Sequence, residues 1–189
     1  MAVGSRGMTR DPWTDVGDSA AYLAPRAQGR PDAWTEELAQ TRRSGSQRLI
    51  KVAELVPPSE VADALGLSSA DHVVVRRRVM LIDDRPVELA DSYYPARLAS
   101  GTLLGEMRKI PGGAPTLLAE LGYRPKEALE ELTVRPATER EAEGLALTPG
   151  SLVVVLFRIV VGVDGVPFEV SVMTMRPEGR RFRYRVKVG

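Results

Sequence analysis

An internal repeat is the feature that most constrains the fold of this chain. Positions 80 residues apart carry the same residue: Leu65 and Leu145, Leu67 and Leu147, Val73–Val75 and Val153–Val155, Arg78 and Arg158. With one extra residue in the second copy, Pro86-Val87-Glu88 also aligns with Pro167-Phe168-Glu169. Each copy has the pattern of a short helix, a turn, a strand, a tight turn and a second strand. Strands joined by tight turns pair with each other, so the repeat predicts an α+β fold with an antiparallel sheet and short helices.

Apolar spacing and turn residues predict where the helices and strands lie. Strands are predicted over residues 48–55, 72–82, 86–94, 129–135, 151–163, 166–175 and 181–188, and helices over 32–43, 60–65, 116–121 and 138–145. Asp32 and Thr138 are suited to cap helix N-termini, and Thr138 with Glu141 has the spacing of a capping box. Helix ends are predicted at Gly45, Gly66 and Gly122.

The first hairpin is expected to place charged side chains on one face of the sheet. Alternate residues of a strand share a face, so Arg76 and Arg78 point the same way. With a three-residue loop over Asp83–Arg85, the expected cross-strand pairs are Arg78 with Ala90, Arg76 with Ser92, and Met80 with Glu88, and Tyr94 lies on the same face. A two-residue turn would flip this pairing, and the sequence leaves the choice open.

Arginine is the residue type on this face that points to a ligand. Its planar guanidinium suits carboxylates and phosphates, so a small anionic ligand is one interpretation of Arg76 and Arg78. The alternative is a solvated strand whose arginines form ion pairs with Glu88 and Asp91. Glu169 stands in an apolar strand, either in a site or at an edge facing water.

Two further segments allow a binding or a structural interpretation. Gly112-Gly113 precedes a predicted helix, where free amides can hold an anion, or where a flexible loop enters the helix. The arginines between positions 180 and 185 alternate with Phe182 and Tyr184. That pattern fits an amphipathic edge strand better than a nucleic-acid patch.

Composition excludes several classes of site. The chain has no cysteine and one histidine, His72, which excludes disulfides, thiolate metal sites and a cysteine nucleophile and leaves little for a metal site or a Ser-His-Asp triad. We therefore expect no metal, no cofactor and no catalytic residues. The net charge of +1 lacks the basic excess of a free DNA-binding domain. The apolar runs are too short to cross a bilayer and no signal peptide is visible, so we expect a cytoplasmic protein without membrane partners.

Residues 59–68 resemble the first helix and turn of a helix-turn-helix. A DNA-reading motif then needs a polar recognition helix, and Val73-Val74-Val75 favours a strand instead. We interpret this helix as a cover for one part of the sheet.

Seven stretches together resemble a known domain family over residues 48–187. They are residues 61–67, 73–78, 85–95, 117–122, 138–147, 165–169 and 181–184. In order and spacing they resemble the UTRA domain, the effector-binding half of HutC-subfamily GntR transcriptional regulators. The resemblance implies a chorismate-lyase-like fold, a homodimer and a small-molecule effector, often a sugar phosphate or a carboxylate. Effector binding would then change how attached winged helix-turn-helix domains hold DNA.

The resemblance also implies site residues. Of the charged positions in sugar-phosphate-binding members, Arg78 and Glu169 match, while Met80, Ala90 and Met175 replace polar residues. We expect a less polar effector with one anionic group, held by Arg78 and hydrogen-bonded to Glu169. The supporting wall would comprise Arg76, Glu88, Ser92 and Tyr94, with Gly113 in a loop that closes over the ligand.

The expected domain organisation has two parts. Residues 1–46 are interpreted as a linker with one helix, without a winged helix-turn-helix, and residues 47–189 as the UTRA-like domain. The expectation is a piece of a longer regulator, with a free-standing sensor as the alternative. DNA would be contacted only through a winged helix-turn-helix outside this sequence. An enzyme of lyase type on the same fold and a purely structural dimerisation module remain the alternative functions.

Overall fold

A six-stranded antiparallel sheet forms the centre of the molecule. The computed structural model describes residues 19–27, 30–40, 42–178, 180 and 182. Its strands are β1 (Gly45–Leu55), β2 (Val73–Ile82), β3 (Arg85–Pro95), β4 (Pro125–Pro136), β5 (Leu152–Gly162) and β6 (Pro167–Met175). Its helices are α1 (Ser19–Leu23), α2 (Ala33–Gln40), α3 (Ser59–Leu65), α4 (Ala96–Ala99), α5 (Ala114–Glu120) and α6 (Glu139–Gly144), with a 3-10 turn at Leu103–Gly105. This architecture confirms the predicted α+β class.

The strand order β1-β2-β3-β6-β5-β4 confirms the repeat. If β1, β2 and β3 are exchanged for their counterparts β4, β5 and β6, the same strand order is read from the opposite edge of the sheet. The midpoint is the pair Asp91 and Val172, where β3 meets β6. Equivalent residues of the two copies have equivalent burial. Leu65 at the end of α3 and Leu145 directly after α6 both lie in apolar clusters on the same side of the sheet.

The first hairpin has a two-residue turn, one of the two alternatives that the sequence left open, and the expectation that such a turn flips the cross-strand pairing is wrong. Asp83 and Asp84 both have positive φ angles, 50° and 62°, as a tight type I′ turn requires. A β-bulge between Met80 and Leu81 then takes up one extra residue of β3. The bulge restores the expected pairs, Arg78 with Ala90, Arg76 with Ser92 and Met80 with Glu88.

The two faces of the sheet are covered by different helices. On one face, α3 and α6 pack over valines of β2 and β5, including Val75 and Val155. On the other face, the segment containing α4, the 3-10 turn and α5 covers Tyr94 and Val160. The same face carries α2, whose Trp34 and Leu38 lie in a separate apolar cluster.

Several predicted boundaries are confirmed and others are wrong. Asp32 caps α2 by accepting the Thr35 amide at 2.9 Å, and Thr138 forms the predicted capping box with Glu141. However, α2 ends at Gln40, and Gly45 begins β1 instead of ending the helix.

Other elements complete the comparison. The elements α1, α4 and the 3-10 turn were not predicted. The predicted strand over 181–188 lies outside the described residues except for Phe182, which is not in a strand. Residues 73–82 form a strand, so the segment over residues 59–68 that resembles the start of a helix-turn-helix is not followed by a recognition helix. No helix in the described parts of the chain is long and apolar enough to cross a bilayer.

Candidate ligand-binding site

A row of polar side chains crosses the sheet on the face that carries α2 and α5. The register places five of them opposite one another on five successive strands: Arg76, Ser92, Ser171, Arg158 and Glu130. We call these five residues the polar row. Their side chains share a face because antiparallel partners directly opposite each other point the same way. Arg78 and Glu169 lie on the same face, each two residues from a member of the row.

A chain of hydrogen bonds links Arg78 to Glu169. Arg78 Nη2 donates to Ser92 Oγ at 2.8 Å, and Ser171 Oγ donates to Glu169 Oε1 at 2.8 Å. The two serine hydroxyls lie 2.9 Å apart. Because the Ser171 proton points to Glu169, Ser92 is the donor between the two hydroxyls. The chain therefore runs in one direction, from a cation to a carboxylate.

Arg78 has unused hydrogen-bonding capacity. Its Nε is buried and has no hydrogen-bond partner among the described residues. Buried donors are normally satisfied, so an open guanidinium N–H in a polar site is suited to an incoming acceptor. An anionic group there would form a charge-assisted hydrogen bond.

Glu169 is buried, and burial raises the pKa of its carboxyl group above the ordinary range. The hydrogen bond from Ser171 and the positive charges of Arg78 and Arg158 act in the opposite direction. Burial is the larger effect, because a carboxylate loses its hydration when it is enclosed. The group can therefore accept a hydrogen bond when ionised or donate one when protonated.

Arg158, the repeat mate of Arg78, has a different environment. Its Nε lies 2.6 Å from Glu130 Oε1, and both side chains are mostly buried. Glu130 sits on the edge strand β4, directly opposite Arg158 in the register. The charge of Arg158 is thus compensated inside the protein.

Arg76 holds a loop. Its guanidinium donates to the backbone carbonyls of Leu103, Leu104, Glu106 and Arg108 at 2.8–3.1 Å. The side chain is buried, and burial lowers the pKa of Arg76. Both terminal nitrogens are occupied by these carbonyls, so Arg76 fixes the segment that covers one end of the row.

The remaining expected site residues lie around the row. Tyr94 is fully buried, and burial followed by the charge of Glu169 raises the pKa of its hydroxyl group. Glu88 accepts a hydrogen bond from Arg180 Nη2 at 3.0 Å, and burial raises the pKa of Glu88. Gly113 lies immediately before α5 with φ 83°, a conformation that favours glycine.

The structure brings together residues that sequence reasoning did not assign to the site. Ser171 is two residues after Glu169, a spacing that marks the same strand face and could have been used. Arg158 was recognised in the repeat but given no role. Glu130 had no local signal, because its pairing depends on the register of β4 against β5.

The polar row is closed to solvent in this conformation. Ser92 and Ser171 are 1% and 5% exposed, and Glu169 is 8% exposed. A surface cavity of about 100 Å³ lies beside Arg97 and Tyr123 and contains no residue of the row. A ligand therefore needs a covering element to move before it can reach Ser171 and Glu169, whereas the Arg78 side chain is partly exposed.

Comparison with known proteins defines the family. Residues 40–181 match the UTRA domain model. The chain belongs to the UTRA domain family, and UTRA is the effector-binding domain of GntR-family transcriptional regulators.

Individual relatives agree with this assignment. An uncharacterized HTH-type transcriptional regulator of Streptomyces coelicolor is 30% identical over 163 residues, 85% of this chain and 56% of that protein. The ligand-binding domain of a Bordetella bronchiseptica regulator assigned to the GntR family is 26% identical with TM-score 0.66, covering 76% of this chain and 92% of that one. The effector domain of PhnF from Mycobacterium smegmatis shares the fold, with TM-score 0.71 and 20% identity over 87% of this chain and 99% of that one. The chain thus spans about 56% of the length of the curated relative.

Proposed function

We propose that this domain binds a small effector with one anionic group at Arg78 and Glu169. It would do so within a HutC-type GntR regulator that acts as a homodimer in the cytoplasm. Effector binding would change DNA binding by a winged helix-turn-helix domain outside this sequence. The observation that carries the proposal is the buried Nε of Arg78, which has no hydrogen-bond partner among the described residues.

The surroundings of Arg78 support an effector with an apolar body. Ala90 is directly opposite Arg78, and Met173 follows opposite Ala90 on β6. Met80 and Trp34 lie in the same apolar cluster. One guanidinium beside such a surface suits a carboxylate or a monoanionic phosphoryl group attached to an apolar skeleton, and suits a polyhydroxylated sugar poorly.

The other expected residues have distinct roles in this proposal. The hydroxyls of Ser92 and Ser171 connect Arg78 to Glu169 through hydrogen bonds and so fix the two side chains relative to each other. Arg76 and Tyr94 support the covering loop, and Gly113 lies where that loop enters α5 and could adjust as the ligand binds. Glu88 lies two residues before Ala90 on β3 and is paired with Arg180.

We propose binding without catalysis. A hydrolytic or lyase reaction needs a base that can take a proton from a nucleophile or substrate. In the described part of the chain, the Ser92 hydroxyl donates to Ser171 and the Ser171 hydroxyl donates to Glu169, so both serine protons are already engaged. Incubation with chorismate-like acids tests the lyase alternative, and product formation that depends on Glu169 would contradict this proposal.

Strand β4, which lies at one edge of the sheet formed by the described residues, supports a homodimer. It has 12 residues, and its Leu129 and Val134 are 56% and 64% exposed. Long edge strands with exposed apolar side chains readily pair with another chain. Light scattering tests this point: we expect a dimer that dissociates in the variant Leu129→Lys/Val134→Lys. A monomeric native chain would contradict the assignment.

A thermal-shift screen tests the ligand class. Carboxylic and phosphoryl compounds with apolar skeletons are screened against the native chain, Arg78→Gln and the control Arg48→Gln. Arg48 is an exposed arginine on β1, so its substitution changes the net charge equally. We expect ligands that stabilise the native chain and Arg48→Gln but not Arg78→Gln. Equal stabilisation of Arg78→Gln would exclude Arg78 as the anion-binding residue.

A further inference from the structure

We propose that residues 19–27 and 30–40, which we call the strap, occupy the apolar half of the ligand site and compete with the effector for it. This inference rests on the proposed function, because it assumes that Arg78 receives the ligand. The strap contains α1 and α2. It would act as an autoinhibitory lid built into the domain.

The strap covers the sheet next to Arg78. Trp34 and Leu38 of α2 form an apolar cluster with Met80 and Ala90, and Met173 packs against it. Ala90 is the cross-strand partner of Arg78. The Trp34 indole therefore lies where the apolar body of a ligand bound to Arg78 would lie.

Contacts fix the strap at both sides of the site. On the β2 side, Trp34 Nε1 donates to the Leu81 carbonyl at 3.1 Å. On the α5 side, the Arg26 amide donates to Thr116 Oγ1 at 3.0 Å. Thr116 Oγ1 itself donates to the carbonyl of Gly112, so Thr116 connects the strap to the loop that contains Gly112 and Gly113. The strap thus spans from β2, the strand that carries Arg78, to α5.

A third contact involves the ion pair of Arg180 and Glu88. The Arg180 guanidinium lies 5.8 Å from the centroid of the Trp34 ring and also pairs with Glu88. Displacement of the strap would also break this cation–π contact.

Contacts within the strap allow it to move as one body. Arg26 and Arg30 both pair with Glu36, and the Tyr22 hydroxyl donates to Glu37. These pairs join α1 and the connection after it to α2 and do not involve the sheet. Displacement of the strap would leave them intact and would break its contacts with the rest of the domain. These include the contacts of Trp34, Leu38 and Arg26 and the hydrogen bond that Gln47 on β1 donates to Asp32.

Gly45 offers a way to open the strap without altering the site. A Cβ atom at Gly45 would lie 2.5 Å from Leu38 Cδ1 and 3.0 Å from Trp34 Cδ1. Gly45 is the first residue of β1 and does not have a positive φ angle, so a β-branched residue suits its backbone. Gly45→Val should therefore push α2 away from the sheet. Ser46→Val is the matched control, because Ser46 is exposed and its side chain points to the other face.

The experiment uses the full chain with Trp13→Phe, which leaves Trp34 as the only tryptophan. The probe is 8-anilinonaphthalene-1-sulfonate, which has one anionic group and an apolar aromatic body. Acrylamide quenching of Trp34 reports the strap, and dye fluorescence gives the dissociation constant. If the strap is open in about one molecule in ten, opening it lowers the apparent dissociation constant about tenfold.

We expect Gly45→Val to increase Trp34 quenching and to tighten dye binding, while Ser46→Val resembles the parent. Adding Arg78→Gln to Gly45→Val should remove the gain in affinity. Greater quenching without tighter binding, or a gain that survives Arg78→Gln, would overturn the strap proposal. Arg78-dependent binding that is equally tight in the parent and in Gly45→Val would also overturn it while leaving the proposed function in place. Loss of any Arg78 dependence in all variants would instead contradict the proposed function.

Hydrogen exchange of the parent chain provides a second test that does not depend on the folding of Gly45→Val. Competition predicts that the dye accelerates exchange of the amides of residues 33–40. Slower exchange there on dye binding would mean that the strap closes on the ligand, which overturns the proposed competition.

Discussion

Arg78 and Arg158 occupy equivalent positions in the two repeats, and they differ in their partners. Arg158 Nε lies 2.6 Å from a carboxylate oxygen of Glu130, whereas the Arg78 guanidinium donates to the Ser92 hydroxyl and keeps a buried Nε without a partner among the described residues. The repeat thus contains one arginine in direct contact with a carboxylate and one whose hydrogen-bond partner is a hydroxyl group. This asymmetry is the physical basis for assigning ligand binding to the first copy.

The pair of Arg158 and Glu130 should contribute to stability. Both side chains are mostly buried, so substituting one partner leaves an uncompensated charge in a poorly hydrated place. A double-mutant cycle with Arg158→Gln and Glu130→Gln should give a coupling energy of about 1–3 kcal/mol in urea denaturation. The variant Arg48→Gln, on an exposed site of β1, serves as the control. A coupling energy near zero would mean that the pair is effectively solvated.

The loop that covers the row should depend on Arg76. Its guanidinium donates to four backbone carbonyls between positions 103 and 108. Arg76→Met should reduce the free energy of unfolding by about 2–4 kcal/mol, because it leaves these acceptors without their charged donor. Compared with the native chain, hydrogen exchange in Arg76→Met should be faster in residues 103–110 and unchanged in β5. Unchanged protection of that segment in Arg76→Met would contradict the assignment.

Glu141 should make stability depend on pH at the acid end. Its hydrogen bond with Arg135 lowers the pKa of Glu141 to about 2 from its ordinary value of 4.5. A lowered folded-state pKa stabilises the fold above the unfolded value, and that contribution disappears as the pH falls through about 2. The stability difference between the native chain and Glu141→Gln should therefore shrink from pH 4.5 to pH 2. A difference that stays constant over this range would contradict the prediction.

Glu169 should show the opposite dependence. Burial raises its pKa above 4.5, so the folded state binds the proton more tightly than the unfolded chain does. The cost of the buried charge therefore grows as the pH rises from 4.5 to the folded-state pKa and then stays constant. Glu169→Gln should gain stability relative to the native chain over that interval in urea denaturation. Parallel stability curves of the two proteins would show that the carboxyl group is ionised equally in both states.

Much of the fold could be predicted from the sequence because the internal repeat shows the same pattern of helix and paired strands twice. The 80-residue spacing predicted both hairpins and their antiparallel pairing, and strand alternation predicted the shared face of Arg76 and Arg78. The length of the turn at Asp83-Asp84 could not be predicted, and the pairs expected for a three-residue loop form with a two-residue turn because a bulge after Met80 compensates for one residue. Bulges depend on packing around the strand and leave little local signal.

The candidate site was only partly visible in the sequence. Arg78 and Ser92 followed from strand alternation, whereas the engagement of Arg76 with a loop did not, because backbone carbonyls have no residue-type signature. Glu130 depends on the register of the two strands farthest from Arg78, and the cover formed by Trp34 depends on a long-range contact. These features arise from tertiary packing and required the structure.

Isothermal titration tests the central claim most directly, using the acid that gives the largest thermal shift. The native chain, Arg78→Gln and Arg48→Gln are titrated under identical buffer conditions. Loss of a charge-assisted hydrogen bond of about 1.5–3 kcal/mol should weaken binding to Arg78→Gln by about 10- to 100-fold, with Arg48→Gln unaffected. Equal dissociation constants for all three proteins would show that the ligand does not bind at Arg78, and the proposed site would be wrong.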